Sequence, residues 1–212
     1  PSLIERFIPS DKELAVMVAR GQDGDTRCYP PVEMCVHANE NILDLLLAPA
    51  RISAEVAEAA RKLAIDTVAA LAGVGIFGIE LFLTQNQELL VNEVAPRTHN
   101  SGHYTIEACM TDQFEQHLRA ITGLPLGSTD LLAPAAMINL LGVPGFGGRP
   151  VIRGLRAALA VPGVSLHLYG KSTTHAYRKM GHVTVLDDDI EQARDKAEQV
   201  RDLIRIEGEE RI

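Results

Sequence analysis

The alternation of apolar and polar positions divides the chain into short strands and longer helical stretches. Residues 13–20 form an apolar run that ends in a Gly/Asp turn, which predicts a strand. Residues 28–36 predict a second extended segment. The stretch 53–72 carries apolar residues three and four positions apart, which predicts a helix. Ser53 is a suitable N-cap for this helix, and Gly73 is expected to end it.

The rest of the chain predicts further strands, two more helices and one loop. A glycine- and proline-rich stretch at 142–150 is the most linker-like part of the sequence. The acidic residues 187–189 suit the start of a terminal helix, because carboxylates are favourable at a helix N-terminus. The other predicted elements are a β-hairpin at 76–83 and 89–94, a helix at 111–121, strands at 135–141, 165–169 and 182–186, and a helix at 189–204.

Two carboxylates interrupt the apolar hairpin. Glu80 and Glu93 lie at equal distances from the centre of the turn, so a symmetric hairpin places them opposite each other with Cβ atoms roughly 5 Å apart. Two such charges repel by about 3 kcal/mol at an effective dielectric of ~20. A magnesium ion between them would reverse the sign, since Mg²⁺ commonly binds one or two carboxylates together with phosphate oxygens. Asn92 joins this face only if the strand bulges. An exposed edge, with one glutamate facing solvent, remains the alternative.

Composition and charge exclude several classes of function. The net charge is −8 and no basic stripe is present, which argues against a nucleic-acid partner. Cys28, Cys35 and Cys109 form no C-x-x-C pair, which is typical of reduced thiols in the cytoplasm. The uncharged stretch 131–148 is broken by proline and glycine. We therefore interpret it as a core strand and a loop, and expect no membrane association.

Two short segments resemble known functional motifs, but each lacks a residue that the motif requires. Gly170 to Thr173 resembles the end of a phosphate-binding P-loop, but Ser165 stands where that motif requires glycine. His99 and His103 have the spacing of a zinc-protease helix, but Asn100 replaces the required glutamate.

The runs Gly78-Ile79-Glu80-Leu81-Phe82 and Val91-Asn92-Glu93-Val94-Ala95-Pro96-Arg97-Thr98-His99-Asn100-Ser101-Gly102-His103 resemble the ATP-grasp enzymes, and specifically the N5-carboxyaminoimidazole ribonucleotide synthases. The resemblance extends over essentially the whole chain. It implies an α+β fold, with the C-terminal subdomain of an ATP-grasp domain (an antiparallel sheet with flanking helices) at 1–141. A small β-rich C-terminal region follows at 142–212.

The same resemblance implies the roles of the site residues. Glu80 and Glu93 would hold Mg²⁺, or Mn²⁺, on the phosphates of ATP. A bicarbonate pocket would follow them in the chain. The residues implied are Arg97, His99 and Asn100 for bicarbonate, Glu5, Ile8, Glu13 and Asn92 for the nucleotide, and Lys171 and Arg178 for the ribose phosphate of the second substrate.

The implied reaction is the ATP- and bicarbonate-dependent carboxylation of 5-aminoimidazole ribonucleotide, through carboxyphosphate, in purine biosynthesis. A cytoplasmic homodimer is also implied. The resemblance places Pro1 late in the central ATP-binding subdomain, so the glycine-rich phosphate loop would lie outside this chain and activity of the chain alone is not expected. Two alternatives remain open: a non-catalytic fragment or assembly partner, and a related ATP-grasp ligase that uses another carboxylate, such as formate.

Overall fold

The computed structural model describes residues 4–36 and 43–211. The strands are β1 Ser10–Arg20, β2 Thr26–Cys28, β3 Val32–Val36, β4 Leu43–Ala48, β5 Gly75–Thr84, β6 Leu89–Ala95, β7 Ala135–Leu141, β8 Phe146–Arg153, β9 Val164–Leu168, β10 Lys179–Leu186 and β11 Arg205–Arg211. The helices are α1 Ala54–Leu71, α2 Thr105–Ala108, α3 Gln113–Thr122, α4 Leu155–Ala158 and α5 Ile190–Leu203. No helix in these ranges is long and apolar enough to cross a membrane.

Nine strands of the described ranges form one antiparallel sheet. Its order is β6-β5-β1-β3-β4-β7-β10-β9, and β2 pairs with β1. β8 and β11 form a separate antiparallel ribbon. The predicted α+β class, an antiparallel sheet with flanking helices, is confirmed.

Helix α1 covers one face of the strands that carry the first glutamate. Ala60, Ala64 and Val68 are fully buried and pack against apolar side chains of β1 and β5. Successive side chains of a strand point to opposite faces. Because Ile79 and Leu81 pack on this α1 side, Glu80 between them points to the other face. The helix thus secures the orientation of a residue that it does not cover.

The two ends of α1 test the sequence prediction separately. The Ser53 side chain accepts a hydrogen bond from the backbone N–H of Val56, so the predicted cap is confirmed. The last helical residue is Leu71, and the C-cap is Ala72, whose φ of 51° is left-handed, one residue before the predicted stop at Gly73. Gly73 is required for a different reason. A Cβ at this position would lie 2.3 Å from the ring of Phe77.

The C-terminal part differs most from the sequence prediction. The stretch 142–150, predicted to be linker-like, contains the first half of β8. Glycine permits a close approach of β8 and β11, since a Cβ on Gly208 of β11 would lie 1.9 Å from the carbonyl oxygen of Gly147 in β8. β4 and β11 were not predicted at all. β7 pairs with both β4 and β10, so the sheet continues across residue 141. The division into regions 1–141 and 142–212 stays a prediction.

Candidate active site

A cavity of about 430 Å³ opens on the face of the sheet opposite α1. It gathers carboxylates, an amide pair, an imidazole and an ammonium group over an apolar floor. The lining residues are Glu13, Met34, Val36, Leu43, Glu80, Phe82, Asn92, Glu93, His99, Asn100 and Lys179.

The carboxylate pair occupies one wall of the cavity. Glu80 and Glu93 are directly paired residues of β5 and β6, so their predicted opposition is confirmed. The hairpin is not symmetric about the predicted centre, because the pairs nearer the turn, such as Leu83 with Leu89, are centred on residue 86. The register shifts immediately afterwards, because Leu81 pairs with Val91. Asn92 is therefore the extra residue of a β-bulge, and it lines the same cavity as the two glutamates. The bulge supplies the distortion that Asn92 needed to join them.

Burial and like charge act together on Glu80. Its half-buried carboxyl group has a raised pKa, first because of burial and then because of the charges on Glu93 and Glu13. Burial also raises the pKa of Glu13, which lies on the adjacent strand β1. This wall therefore favours a cation, which would relieve the repulsion.

His99 lies beside this wall on the segment that follows β6. Its Nε2 is 3.6 Å from Oε1 of Glu80, and its Nδ1 accepts a hydrogen bond from the backbone N–H of Ser101. Burial, followed by the charge of Arg97, lowers the pKa of His99, so the ring is neutral at pH 7 and the contact with Glu80 is not an ion pair. His99 can lie this close to β5 because residue 78 is glycine. A Cβ at Gly78 would lie 2.8 Å from the Cβ of His99.

Asn100 and Arg97 differ in how they meet the cavity. The side-chain nitrogen of Asn100 is buried and has no hydrogen-bond partner in the described part of the chain. A donor of this kind, on a residue that lines the cavity, is suited to a ligand oxygen. Arg97 is exposed, does not line the cavity, and donates to the backbone oxygen of Thr98. Its charge nevertheless lowers the pKa of both His99 and Lys179.

Lys179 is a site residue that the sequence analysis missed. It begins β10 and brings its side chain to the cavity that holds the two glutamates. Burial lowers the pKa of its ammonium group, and the carboxylate of Glu80 opposes that shift. The sequence contained one signal, the run Arg-Lys-Met-Gly-His at 178–182. Within this run we expected Arg178, and not Lys179, to bind a substrate.

The remaining predicted residues lie outside the cavity, except for Glu13. Glu5 is exposed and Ile8 half-buried in the segment before β1. Lys171 and Arg178 belong to the loop between β9 and β10. Lys171 donates to the backbone oxygen of Lys179, and Arg178 donates to the backbone and hydroxyl oxygens of Thr173. The loop therefore presents two cations beside the cavity but not inside it.

Two family models match the chain in succession. The ATP-grasp domain matches residues 1–114, and the phosphoribosylaminoimidazole carboxylase C-terminal domain matches residues 135–196. The sheet, its paired carboxylates and the first match define the class: this is an ATP-grasp protein.

Comparison with individual proteins narrows the class. The chain is 48% identical over 187 residues to the N5-carboxyaminoimidazole ribonucleotide synthase of Synechococcus elongatus, a match covering 87% of this chain and 46% of that protein. The synthetase structure from Thermotoga maritima is similar with a TM-score of 0.92 and 56% identity, covering 97% of this chain and 55% of that one. An Aspergillus clavatus synthase structure, in complex with ADP and 5-aminoimidazole ribonucleotide, gives a TM-score of 0.82 and 36% identity, covering 92% and 52%.

Within the ATP-grasp proteins, the chain belongs to the N5-carboxyaminoimidazole ribonucleotide synthase family. It spans about half the length of these relatives.

Proposed function

We propose that this chain carries the metal and bicarbonate half of an ADP-forming carbon–nitrogen ligase. The ligase converts 5-aminoimidazole ribonucleotide, ATP and bicarbonate into N5-carboxyaminoimidazole ribonucleotide, ADP and phosphate. The observation that carries the proposal is one cavity that holds the Glu80/Glu93 pair beside His99 and the unpartnered Asn100 amide. The Aspergillus clavatus relative, which binds ADP and 5-aminoimidazole ribonucleotide, supports the choice of substrates.

The donor set fits a magnesium ion shared with a nucleotide. Glu80 and Glu93 supply hard carboxylate oxygens, and Asn92 adds an amide. No cluster of three or more His, Cys, Asp or Glu side chains suited to a metal occurs within residues 4–36 and 43–211. Two carboxylates suit Mg²⁺ or Mn²⁺, which take their other ligands from phosphate oxygens and water. When bound, the ion would neutralise charge that develops on the transferred phosphoryl group.

The anion pocket follows from the neighbouring residues. The amide of Asn100 and the Nε2–H of His99 are neutral donors for a small carboxylate-like anion, while Lys179 supplies positive charge at the cavity wall. Arg97 would turn from Thr98 towards the anion when it binds, because a guanidinium fork matches two carboxylate oxygens.

The proposed chemistry has three steps. An oxygen of bicarbonate, held by His99 and Asn100, attacks the γ-phosphorus of ATP, and the bond from that phosphorus to the ADP oxygen breaks. Carboxyphosphate then loses phosphate to give CO₂, whose carbon is attacked by the exocyclic amine of the ribonucleotide; the nitrogen loses a proton. A closed site would protect carboxyphosphate from water.

Binding of the two nucleotides is assigned by family resemblance. Glu5 and Ile8 would lie along the adenine edge and Glu13 beside the ribose. Lys171 and Arg178 would bind the ribose phosphate of the second substrate, a role consistent with their place beside the cavity. We also propose a cytoplasmic homodimer, whose free thiols suit a reducing compartment.

ADP formation that requires both aminoimidazole ribonucleotide and bicarbonate tests this function. The assay is run on the chain alone and on the chain joined to the preceding half of the Thermotoga maritima relative. We expect activity in the joined protein, and its loss in Glu93→Gln. Glu88→Gln is the matched control, because Glu88 is exposed in the turn of the same hairpin.

Full turnover by Glu93→Gln would exclude the metal role of the pair. Formate replacing bicarbonate would identify a different ATP-grasp ligase. No turnover with either anion would favour a non-catalytic protein.

A further inference from the structure

We infer that Gln113 is the positioning residue of the anion pocket: its side-chain amide fixes the backbone of His99, and thereby the direction of the His99 and Asn100 side chains. This inference rests on the proposed function for its activity readout, although the geometry stands without it.

The amide of Gln113 pairs with His99 as a neighbouring strand would. Its Oε1 accepts a hydrogen bond from the backbone N–H of His99 at 2.8 Å, and its Nε2 donates to the backbone oxygen of His99 at 2.9 Å. The second Nε2 hydrogen goes to Nδ1 of His103 at 3.0 Å. The side chain is fully buried. An amide has two N–H donors, and both are used here.

This pairing matters because the chain has just left the sheet. β6 ends at Ala95, and His99 remains extended, with φ −127° and ψ 155°, before a short 3-10 turn. Extended backbone outside a sheet needs other partners for its polar groups. The side chain of Gln113 accepts from the N–H of His99 and donates to its carbonyl, as a neighbouring strand would.

The surrounding residues are shaped around the same amide. A Cβ on Gly102 would lie 2.5 Å from Oε1 of Gln113, so glycine admits the side chain. Thr105 accepts from the backbone N–H of Gln113 and donates to the carbonyl of Gly102, which ties the start of α3 to the turn. Gln113 is thus fixed both at its side-chain amide and at its backbone N–H.

A displaced His99 backbone would affect the whole pocket. Its Nε2 lies 3.6 Å from Glu80, and the side-chain nitrogen of the next residue, Asn100, is buried without a hydrogen-bond partner among the described residues. Reaction rates depend steeply on such alignment, and a misplacement of ~1 Å can cost about 100-fold. Gln113 does not line the cavity, so we expect it to act on the pocket through its two bonds to the His99 backbone.

Helix α3 provides a matched control one turn later. Gln116 is equally buried and makes the same pair of bonds, accepting from the N–H of Gly127 at 2.8 Å and donating to its carbonyl at 2.9 Å. Gly127 belongs to a loop that does not line the cavity. The two glutamines share a helix, full burial and a pair of bonds to one backbone residue. They differ in which backbone residue they hold and in the further bond from Gln113 to His103.

The test compares Gln113→Glu with Gln116→Glu in the joined protein. A carboxylate at 113 can still accept from the His99 N–H, but it cannot donate to the His99 carbonyl or to His103 until it is protonated. We expect kcat to fall by about 10- to 100-fold in Gln113→Glu at pH 8. The deficit should shrink as the pH falls and the new carboxyl group regains a proton. Gln116→Glu should lose comparable stability but keep the wild-type kcat and pH profile.

Crystal structures of the two variants of the chain give a readout independent of activity. A shifted His99 backbone in Gln113→Glu, and an unshifted one in Gln116→Glu, would support the inference even if the proposed reaction proved wrong. An unmoved His99 in Gln113→Glu, or equal losses of kcat with the same pH dependence in both variants, would overturn it. An inactive wild-type joined protein would count against the proposed function alone.

Discussion

The Glu80 carboxylate occupies a position that disfavours its own charge. It is largely buried, it faces Glu93 across the hairpin, and its pKa is raised. A group whose folded-state pKa is raised contributes stability below its unfolded pKa and loses that contribution as the pH rises through the folded value. At pH 7 the ionised Glu80 is therefore unfavourable without a cation.

Glu80→Gln should consequently raise the melting temperature of the metal-free chain at pH 7. A gain of 1 kcal/mol corresponds to about 2–4 °C for a protein of this size. The gain should vanish near pH 4, where the wild-type carboxyl group is also neutral. Calorimetry at both pH values measures the effect, with Glu88→Gln as the exposed control. A lower melting temperature for Glu80→Gln at pH 7 would show that the carboxylate is already satisfied by the protein.

Part of the candidate site was predictable from the residue types and their spacing in the sequence. The spacing about the turn predicted that Glu80 and Glu93 oppose each other, although their pairing depends on the bulge at Asn92. The family resemblance pointed to His99 and Asn100. Lys179 and Gln113 were missed because nothing local marks them: a lysine at a strand start and a glutamine in the first turn of a helix are ordinary surface patterns. Only the fold brings them to the site, because Lys179 lies 80 positions and Gln113 lies 14 positions after His99 along the chain.

At the scale of elements, α3 connects the core to the site. Its first residue is Gln113, and the Asp112 side chain caps it by accepting from the N–H groups of Phe114 and Glu115 at 2.7 and 3.1 Å. The N-cap of α1, Ser53, has the same local function on a helix that packs on the opposite face of the sheet.

Removing these two caps should therefore have different consequences. Asp112→Ala and Ser53→Ala should each lower the free energy of unfolding by about 1 kcal/mol, as measured by urea titration. Only Asp112→Ala should also lower kcat in the joined protein, because fraying of the first α3 turn loosens Gln113. Equal activity of the two variants would mean that the core, and not the cap, positions that turn.

Helices and strands with a regular hydrophobic period were predictable from the sequence. Strands that depend on close backbone contacts between glycines were not. The amphipathic stripe of α1 and the apolar hairpin predicted their elements to within a few residues. β8 and β11 were missed because their glycines, which suggest a loop, instead allow the two strands to approach.

At the scale of the molecule, a column of stacked rings connects the segment around α2 to strands β9 and β10. His103 stacks on His182 at 4.6 Å between ring centroids, and His182 stacks on His167 at 4.5 Å. His167 in turn contacts the carboxylate of Glu107 at 2.6 Å. Burial, followed by the charge of Lys179 and then by neighbouring histidines, lowers the pKa of His103 to about 4. Burial, followed by neighbouring histidines, lowers the pKa of His182 to about 3.

The column should make the protein sensitive to acid. A depressed folded-state pKa contributes stability above the unfolded value of about 6.5, and this stability is lost as the pH falls towards the folded value. Between pH 6 and pH 4 we expect the free energy of unfolding to fall by up to about 1.4 kcal/mol per pH unit for each of the two histidines. Urea unfolding at several pH values measures the slope.

His182→Gln should flatten this slope, whereas His175→Gln, at an exposed position, should leave it unchanged. Identical slopes in the wild type and in His182→Gln would show that the acid sensitivity arises elsewhere.

In the proposed reaction, bicarbonate bound in this cavity attacks the γ-phosphorus of ATP. The most direct measurement follows the oxygen: the joined protein is supplied with ATP, aminoimidazole ribonucleotide and ¹⁸O-labelled bicarbonate, and the released phosphate is examined by mass spectrometry. We expect one ¹⁸O atom in each phosphate, because the bridging oxygen of carboxyphosphate stays with phosphorus when the carbon–oxygen bond breaks. Product formation with unlabelled phosphate would contradict it.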